Sequence, residues 1–216
     1  MTHTHVHAPA GVAALVHGDP LGTDRVEALL AVTPPRDPEA YREGRARAVR
    51  QHRRWAAQVV VTDELARRAC AELGLRPPED TAPPDVLAVD EADAAELGSI
   101  VAAALAYSPA ARALLAHLEA LQHLPEATLR DYYLRNPDRF LTPDALRRGA
   151  DPFGATAPED LTPYQEVRAG IGKELRQAMG RRAFFLWLDR ERSDVVYSPG
   201  YEHPGDPSHP DHEHRH

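Results

Sequence analysis

Apolar residues recur along this chain with a helical period over most of its length, and with a strand-like run only near its two ends. Val12-Ala13-Ala14-Leu15-Val16 predicts a short strand, followed by a His17-Gly18-Asp19-Pro20 turn in which Gly18 can take positive φ. Thr23 or Asp24 can cap a helix to about Val32, with Val26, Leu29 and Leu30 on its apolar side. Asp37-Pro38-Glu39 then carries a cap, a proline at the first helical position and an acid in the first turn, and predicts one helix running to Leu73, with Gly74 as its stop. Trp55, Val59, Ala66, Ala69 and Leu73 fall on the face expected to pack. Arg45, Arg47, Arg50, Arg53 and Arg54 read as a solvated basic face; without interleaved aromatics they do not suggest a nucleic-acid surface.

The proline pairs Pro77-Pro78 and Pro83-Pro84 mark a linker near residues 76–87. Helices are predicted from Glu91 to Ala106, from Ser108-Pro109 to Leu121, and from Pro125 to just before Asn136-Pro137, where proline disfavours the helical state of its predecessor. Thr142-Pro143 opens a short helical turn, and Gly149 to Glu159 reads as irregular loop. Thr162-Pro163-Tyr164-Gln165 starts a long amphipathic helix to about Arg192, with Val167, Ile171, Leu175 and Met179 every fourth residue and Ala183, Trp187 and Leu188 carrying the stripe onward. Val195-Val196-Tyr197 is a second short strand. A lone strand leaves its backbone groups unpaired, so the simplest arrangement pairs it with Val12 to Val16. The fold class expected is mainly α, with one helical domain over residues 11–199 flanked by disordered, histidine-bearing segments at 1–10 and 200–216.

With 43% apolar and 27% charged residues, the composition is that of a globular protein, and a net charge of -8 disfavours contact with nucleic-acid backbones. Cys70 is the only cysteine, so neither an internal disulfide nor a thiolate cluster can form. No stretch approaches the roughly 18 apolar residues of a membrane span, and Met1 to Ala10 lacks a signal-like pattern; the expected location is cytoplasmic, with no membrane partner.

Four segments, in order, resemble the SurA, PrsA and NifM-type parvulin foldases. Val12 to Leu21 is similar to their opening strand and turn, with His17 where asparagine is usual. Val60 to Leu75 resembles a helix ending in an alanine-rich, leucine-glycine motif. Leu129-Arg130-Asp131-Tyr132-Tyr133-Leu134-Arg135-Asn136-Pro137-Asp138-Arg139-Phe140 resembles the Tyr-Tyr, Asn, Phe signature that in the family leads into the isomerase domain. Glu166 to Asp194, with Phe184-Phe185-Leu186-Trp187-Leu188, resembles the long helix that follows that domain. The segment between these last two, residues 142–162, is several times too short for a parvulin domain, and no histidine lies between His123 and His203 to supply its catalytic imidazoles. The resemblance therefore implies a SurA N-terminal-like helical chaperone domain without catalytic residues: a non-enzyme that holds a client protein or peptide segment, a metalloenzyme subunit among the candidates. Trp55, Tyr132, Tyr133, Phe140, Phe184, Phe185 and Trp187 are the candidate groove residues, with plain core packing as the competing reading.

Eight of the twelve histidines lie in the two flanks. His3, His5 and His7, and His203, His209, His212, His214 and His216, are candidate nickel or zinc ligands, although no cofactor is required. They support an alternative reading, a metal-binding accessory protein in metalloenzyme maturation; the competing reading is a solvated tail that titrates near neutrality. His212-Glu213-His214-Arg215-His216 satisfies the metalloprotease pattern only by chance, since that chemistry needs a helix in a cleft. His117 and His123 share no helix face and read as structural or surface residues.

Overall fold

A computed structural model describes residues 11–33, 35, 38–42, 44, 46–78, 94–95, 97–154 and 157–203. The architecture is mainly helical with a small three-stranded antiparallel sheet. Chain contacts divide it into two compact units. The first comprises the residues up to Leu114 and those from Leu186 onward, and the second is the continuous stretch Leu115–Phe185.

In the first unit, strand β1 (Val12–Val16) is central, with β2 (Asp19–Gly22) on one side and β3 (Val195–Tyr197) on the other. The expected pairing of the two distant strands is present, with Ala14 opposite Tyr197 and Val16 opposite Val195. Ser198 extends it, donating through its backbone N–H to the Ala13 carbonyl at 2.9 Å and through Oγ to the Val12 carbonyl at 2.6 Å. Asp19-Pro20 is strand and not turn: Val16 pairs with Asp19, and His17 (φ 50) and Gly18 (φ 88) form a two-residue hairpin loop. Positive φ at both loop positions matches the right-handed strand twist. Pro20 is tolerated because β2 is an edge strand.

Helix α1 (Thr23–Val32) packs on α3 (Ala46–Leu73). The single helix expected from Asp37 to Leu73 is instead α2 (Pro38–Arg42) and α3, broken at Gly44, whose φ of 64 no helix interior accommodates. Every residue from Ala56 to Asp63 is buried, so α3 is enclosed on all sides at its centre. Leu73, expected in the core, lies 52% exposed in its last turn. Arg54 also departs from the solvated face expected for it: it is 2% exposed and its guanidinium meets Glu202 at 3.5 Å. Helix α4 (Ser99–Tyr107) also packs on α3; it starts at Gly98, whose φ of 74 interrupts the helix expected from Glu91. Most of the predicted linker, residues 79–87, lies outside the described residues.

Helix α5 (Pro109–Ala120) is capped by Ser108, whose Oγ accepts from the Ala111 N–H at 3.0 Å. Its last turns, from Leu115, open the second unit, which continues with α6 (Glu126–Arg135), a 3-10 turn (Pro137–Phe140) and α7 (Pro143–Arg148). Helix α7 is bounded by the Thr142 side chain and by left-handed Gly149. A second 3-10 turn (Pro158–Asp160) precedes α8 (Tyr164–Arg192), which belongs to the second unit as far as Phe185. Ile171 is buried and Leu175 half-buried, as expected, but Met179 is exposed and the stripe continues through Gly180, Phe184 and Leu188. The buried face thus moves one residue, about 100°, round the helix between Met179 and Gly180. Among the described residues no single helix is long and apolar enough to cross a membrane.

Candidate functional site

The second unit closes around one small aromatic core. Leu129 on α6, Phe140 in the 3-10 turn and Ile171 on α8 are its buried centre. Three of the sequence-predicted groove residues meet here. The Tyr133 ring lies 5.0 Å from Phe140, and the Tyr132 ring meets Phe140 edge-on at 6.4 Å. Tyr164, which the sequence reading passed over, packs edge-on against Tyr133 at 5.5 Å. Such offset and edge contacts suit the aromatic quadrupole.

Charged groups cover these rings. Arg139 stacks over Tyr132 at 5.6 Å and grips Glu174 with both terminal nitrogens, at 2.6 and 3.2 Å; the Tyr132 hydroxyl donates to the same carboxylate at 3.0 Å and also meets the Arg139 guanidinium. Arg130 lies over Tyr164 at 5.0 Å. Glu126 accepts from Arg168 Nε at 2.9 Å and from the Tyr164 hydroxyl at 2.7 Å. Those two hydrogen bonds, Arg168 first, hold its carboxyl well below the ordinary range, at about 2. Sequence spacing could not reveal these pairs, because Glu126 and Arg168 sit on helices 42 residues apart.

Chain topology around this core is specific. The chain leaves it at Leu141 and returns at Leu161, and these two residues form an antiparallel bridge. Thr142 N–H donates to the Asp160 carbonyl at 2.8 Å and Thr162 N–H to the Phe140 carbonyl at 2.7 Å. The Tyr133 hydroxyl fastens α6 to this neck through the Thr162 carbonyl at 2.9 Å, and Arg148 pairs with Asp160 across the loop. Large apolar side chains stand in solvent before the neck and within the loop it closes: Leu134 on α6 is 73% exposed, Leu146 on α7 60%, and Phe153 in the following loop 71%.

The other predicted groove residues separate by unit. Trp55 belongs to the first unit, half-buried and stacked on His52 at 5.7 Å. Trp187 is half-buried in the last turns of α8, also in the first unit. Phe184 is buried and Phe185 half-buried at the end of the second. The buried rings of Phe140 and Phe184 serve packing.

The first unit carries its own polar nodes. Asp63, fully buried, accepts from Arg25 and from Arg67, each at 2.8 Å. Burial alone would raise the Glu64 carboxyl, but hydrogen bonds from Arg25 and Arg68 outweigh it and hold it below its ordinary value. Gln58 Oε1 accepts from Arg192 Nη2 and from the Tyr197 hydroxyl, both at 2.9 Å, fixing β3 to α3. Burial lowers the His52 imidazole and raises the Cys70 thiol, so neither is charged at neutral pH and Cys70 is a poor nucleophile. Among the described residues no group of three or more His, Cys, Asp or Glu could hold a metal ion. Of the eight candidate metal ligands only His203 is described, half-buried; His3, His5, His7, His209, His212, His214 and His216 lie outside the described residues.

No family model matches the chain, and neither does any curated protein or solved structure.

Proposed function

We propose that this protein is a chaperone-like binding factor: a helical frame of the SurA type that holds an extended or helical client segment and lacks an isomerase domain. The observation that carries the reading is the neck at Leu141 and Leu161. A loop whose ends are hydrogen-bonded together can be long or short without disturbing the core beneath it. Residues 142–160 occupy the place where the resembling foldases insert their catalytic domain. The aromatic core supplies a rigid base, and Leu134, Leu146 and Phe153 supply the exposed apolar groups that a client can cover. A metalloenzyme subunit is one candidate client.

Burying one such side chain against a client is worth about 1.5–3 kcal/mol, or roughly 10- to 100-fold in affinity. The test is light scattering by a denatured reporter protein with and without the full chain. Protection is expected, weakened in Leu134→Asp and Phe153→Asp variants that keep the wild-type circular dichroism. No protection at molar excess would refute client holding. A tetrapeptide prolyl-isomerase assay is expected to show no acceleration, and measurable turnover would overturn the non-catalytic reading.

A further inference from the structure

We infer that the outer edge of β3 takes an extended polypeptide segment as a fourth strand, with an acidic side chain of that segment in the cleft beside Tyr197. Successive residues of a strand turn their backbone N–H and C=O groups to alternate sides. Ser198 faces β1, because its N–H donates to the Ala13 carbonyl at 2.9 Å, and Val196, two residues earlier and opposite Leu15, faces β1 as well. Consistently, Leu15 stands opposite Pro20 of β2, which has no N–H to give. Val195 and Tyr197 therefore turn their N–H and C=O groups away from β1. Among the described residues these outward groups have no hydrogen-bond partner. Satisfying them takes alternating donors and acceptors at strand spacing, which is the chemistry of an extended peptide backbone.

The cleft sets the side-chain chemistry. Asp189, Arg192, Ser193, Tyr197 and His203, all polar, line about 390 Å³ beside β3. Arg192 donates to the neutral Gln58 and, among the described residues, pairs with no carboxylate; Asp189 shares the cleft but makes no ion pair with it. A carboxylate brought in by the segment supplies that counter-charge. Side chains alternate along a strand, so an acid opposite Tyr197 lies on the cleft side, while its neighbour, opposite the 48%-exposed Val196, lies on the other face, where a β-branched residue packs well. A second copy of the chain does not suit this edge. A three-residue strand, roughly 10 Å long, cannot alone bury the roughly 1,000 Å² of a stable dimer, but it fits a short segment held by backbone pairing and one side chain. The edge belongs to the first unit and is independent of the apolar groups proposed above to hold a client.

Titrating an end-blocked Thr-Val-Glu-Val-Thr peptide into the full-length, isotope-labelled protein, followed by amide NMR, tests this. Expected are saturable binding with a Kd of about 1 mM or tighter, shifts and slowed exchange at Val195 and Tyr197, and a Ser198 amide already protected in the free protein. Methylating the glutamate amide removes a donor aimed at β3, and replacing glutamate by lysine removes the counter-charge; each should weaken binding at least about fivefold. Val195→Pro should do the same while keeping the wild-type circular dichroism, because the lost N–H faces away from β1 and proline is tolerated at the first residue of an edge strand. Should that variant not fold, the methylated peptide decides. The inference is overturned if the wild type shows no saturation, if the methylated or the lysine peptide binds as tightly as the parent, if the shifts map away from residues 193–203, or if the protein is a dimer that Val195→Pro dissociates.

Discussion

Gln58→Leu probes how the distant ends of the first unit are held together. Gln58 is 1% exposed, and its Oε1 accepts from Arg192 and Tyr197, while Nε2 makes a longer contact of 3.4 Å to the Tyr201 carbonyl. Leucine fills nearly the same volume and removes the acceptor. Arg192 is half-buried and can turn to solvent, so its loss is small. The half-buried Tyr197 hydroxyl loses one of its two partners and keeps Arg192; burial pushes its pKa upward against the pull of both. Removing one partner from a buried polar group costs about 1–3 kcal/mol, and the added apolar burial offsets part of that, leaving a net loss of about 1 kcal/mol. Tyr197→Phe leaves Gln58 paired with Arg192 and should cost about 0.5–1.5 kcal/mol. In the double variant the weakened hydroxyl is gone, so the two losses should fall short of additive by about 0.5 kcal/mol. Urea denaturation followed by circular dichroism gives the energies, and amide exchange at Ser198 reports release of β3. A Gln58→Leu variant within about 0.5 kcal/mol of wild type, or a strictly additive cycle, would refute the reasoning.

Two glycines of α8 should respond oppositely to alanine. A Cβ at Gly180 would stand 2.9 Å from the Glu119 Cα on α5, so Gly180→Ala should cost about 1–2 kcal/mol despite its better helix propensity, whereas nothing lies within 4 Å of Gly170 and Gly170→Ala should gain about 0.5–1 kcal/mol; thermal melts distinguish them. Gly18→Ala forces alanine to a φ of 88 in the hairpin loop and should cost about 1–2 kcal/mol by the same measurement. Because the folded Glu126 carboxyl sits at about 2, below its ordinary 4.5, its contribution to stability is complete above pH 4.5 and fades as pH falls toward 2; Glu126→Gln should flatten that part of the stability profile in acid titrations.

The pairing of β1 with β3 was legible because two short β-branched runs each need a partner, and the chain offers few others. β2 was not, since Asp19-Pro20 carries turn chemistry and only the register with Val16 shows that the loop is His17-Gly18. The break at Gly44 depends on a positive φ, which composition does not encode, and the periodicity on either side hid it. Leu73 and Met179 fit the helical period, but burial is set by which neighbours reach them, and their faces meet solvent. Arg54 looked like one of a solvated row until Glu202, 148 positions away, supplied its counter-charge. At the candidate site Tyr132, Tyr133 and Phe140 could be grouped from one short segment. Tyr164, Glu174 and Arg168 could not, because only the packing of α8 against α6 and the turn after it brings them there.

The most direct test of client holding is site-resolved crosslinking. An unfolded reporter bearing a photoreactive amino acid would be irradiated with the full chain, and the adducts mapped by mass spectrometry. Adducts concentrated on α6 and on residues 142–161, and suppressed by Leu134→Asp, are the predicted result. Adducts confined to the first unit, or none above an irradiated control with folded reporter, would contradict it.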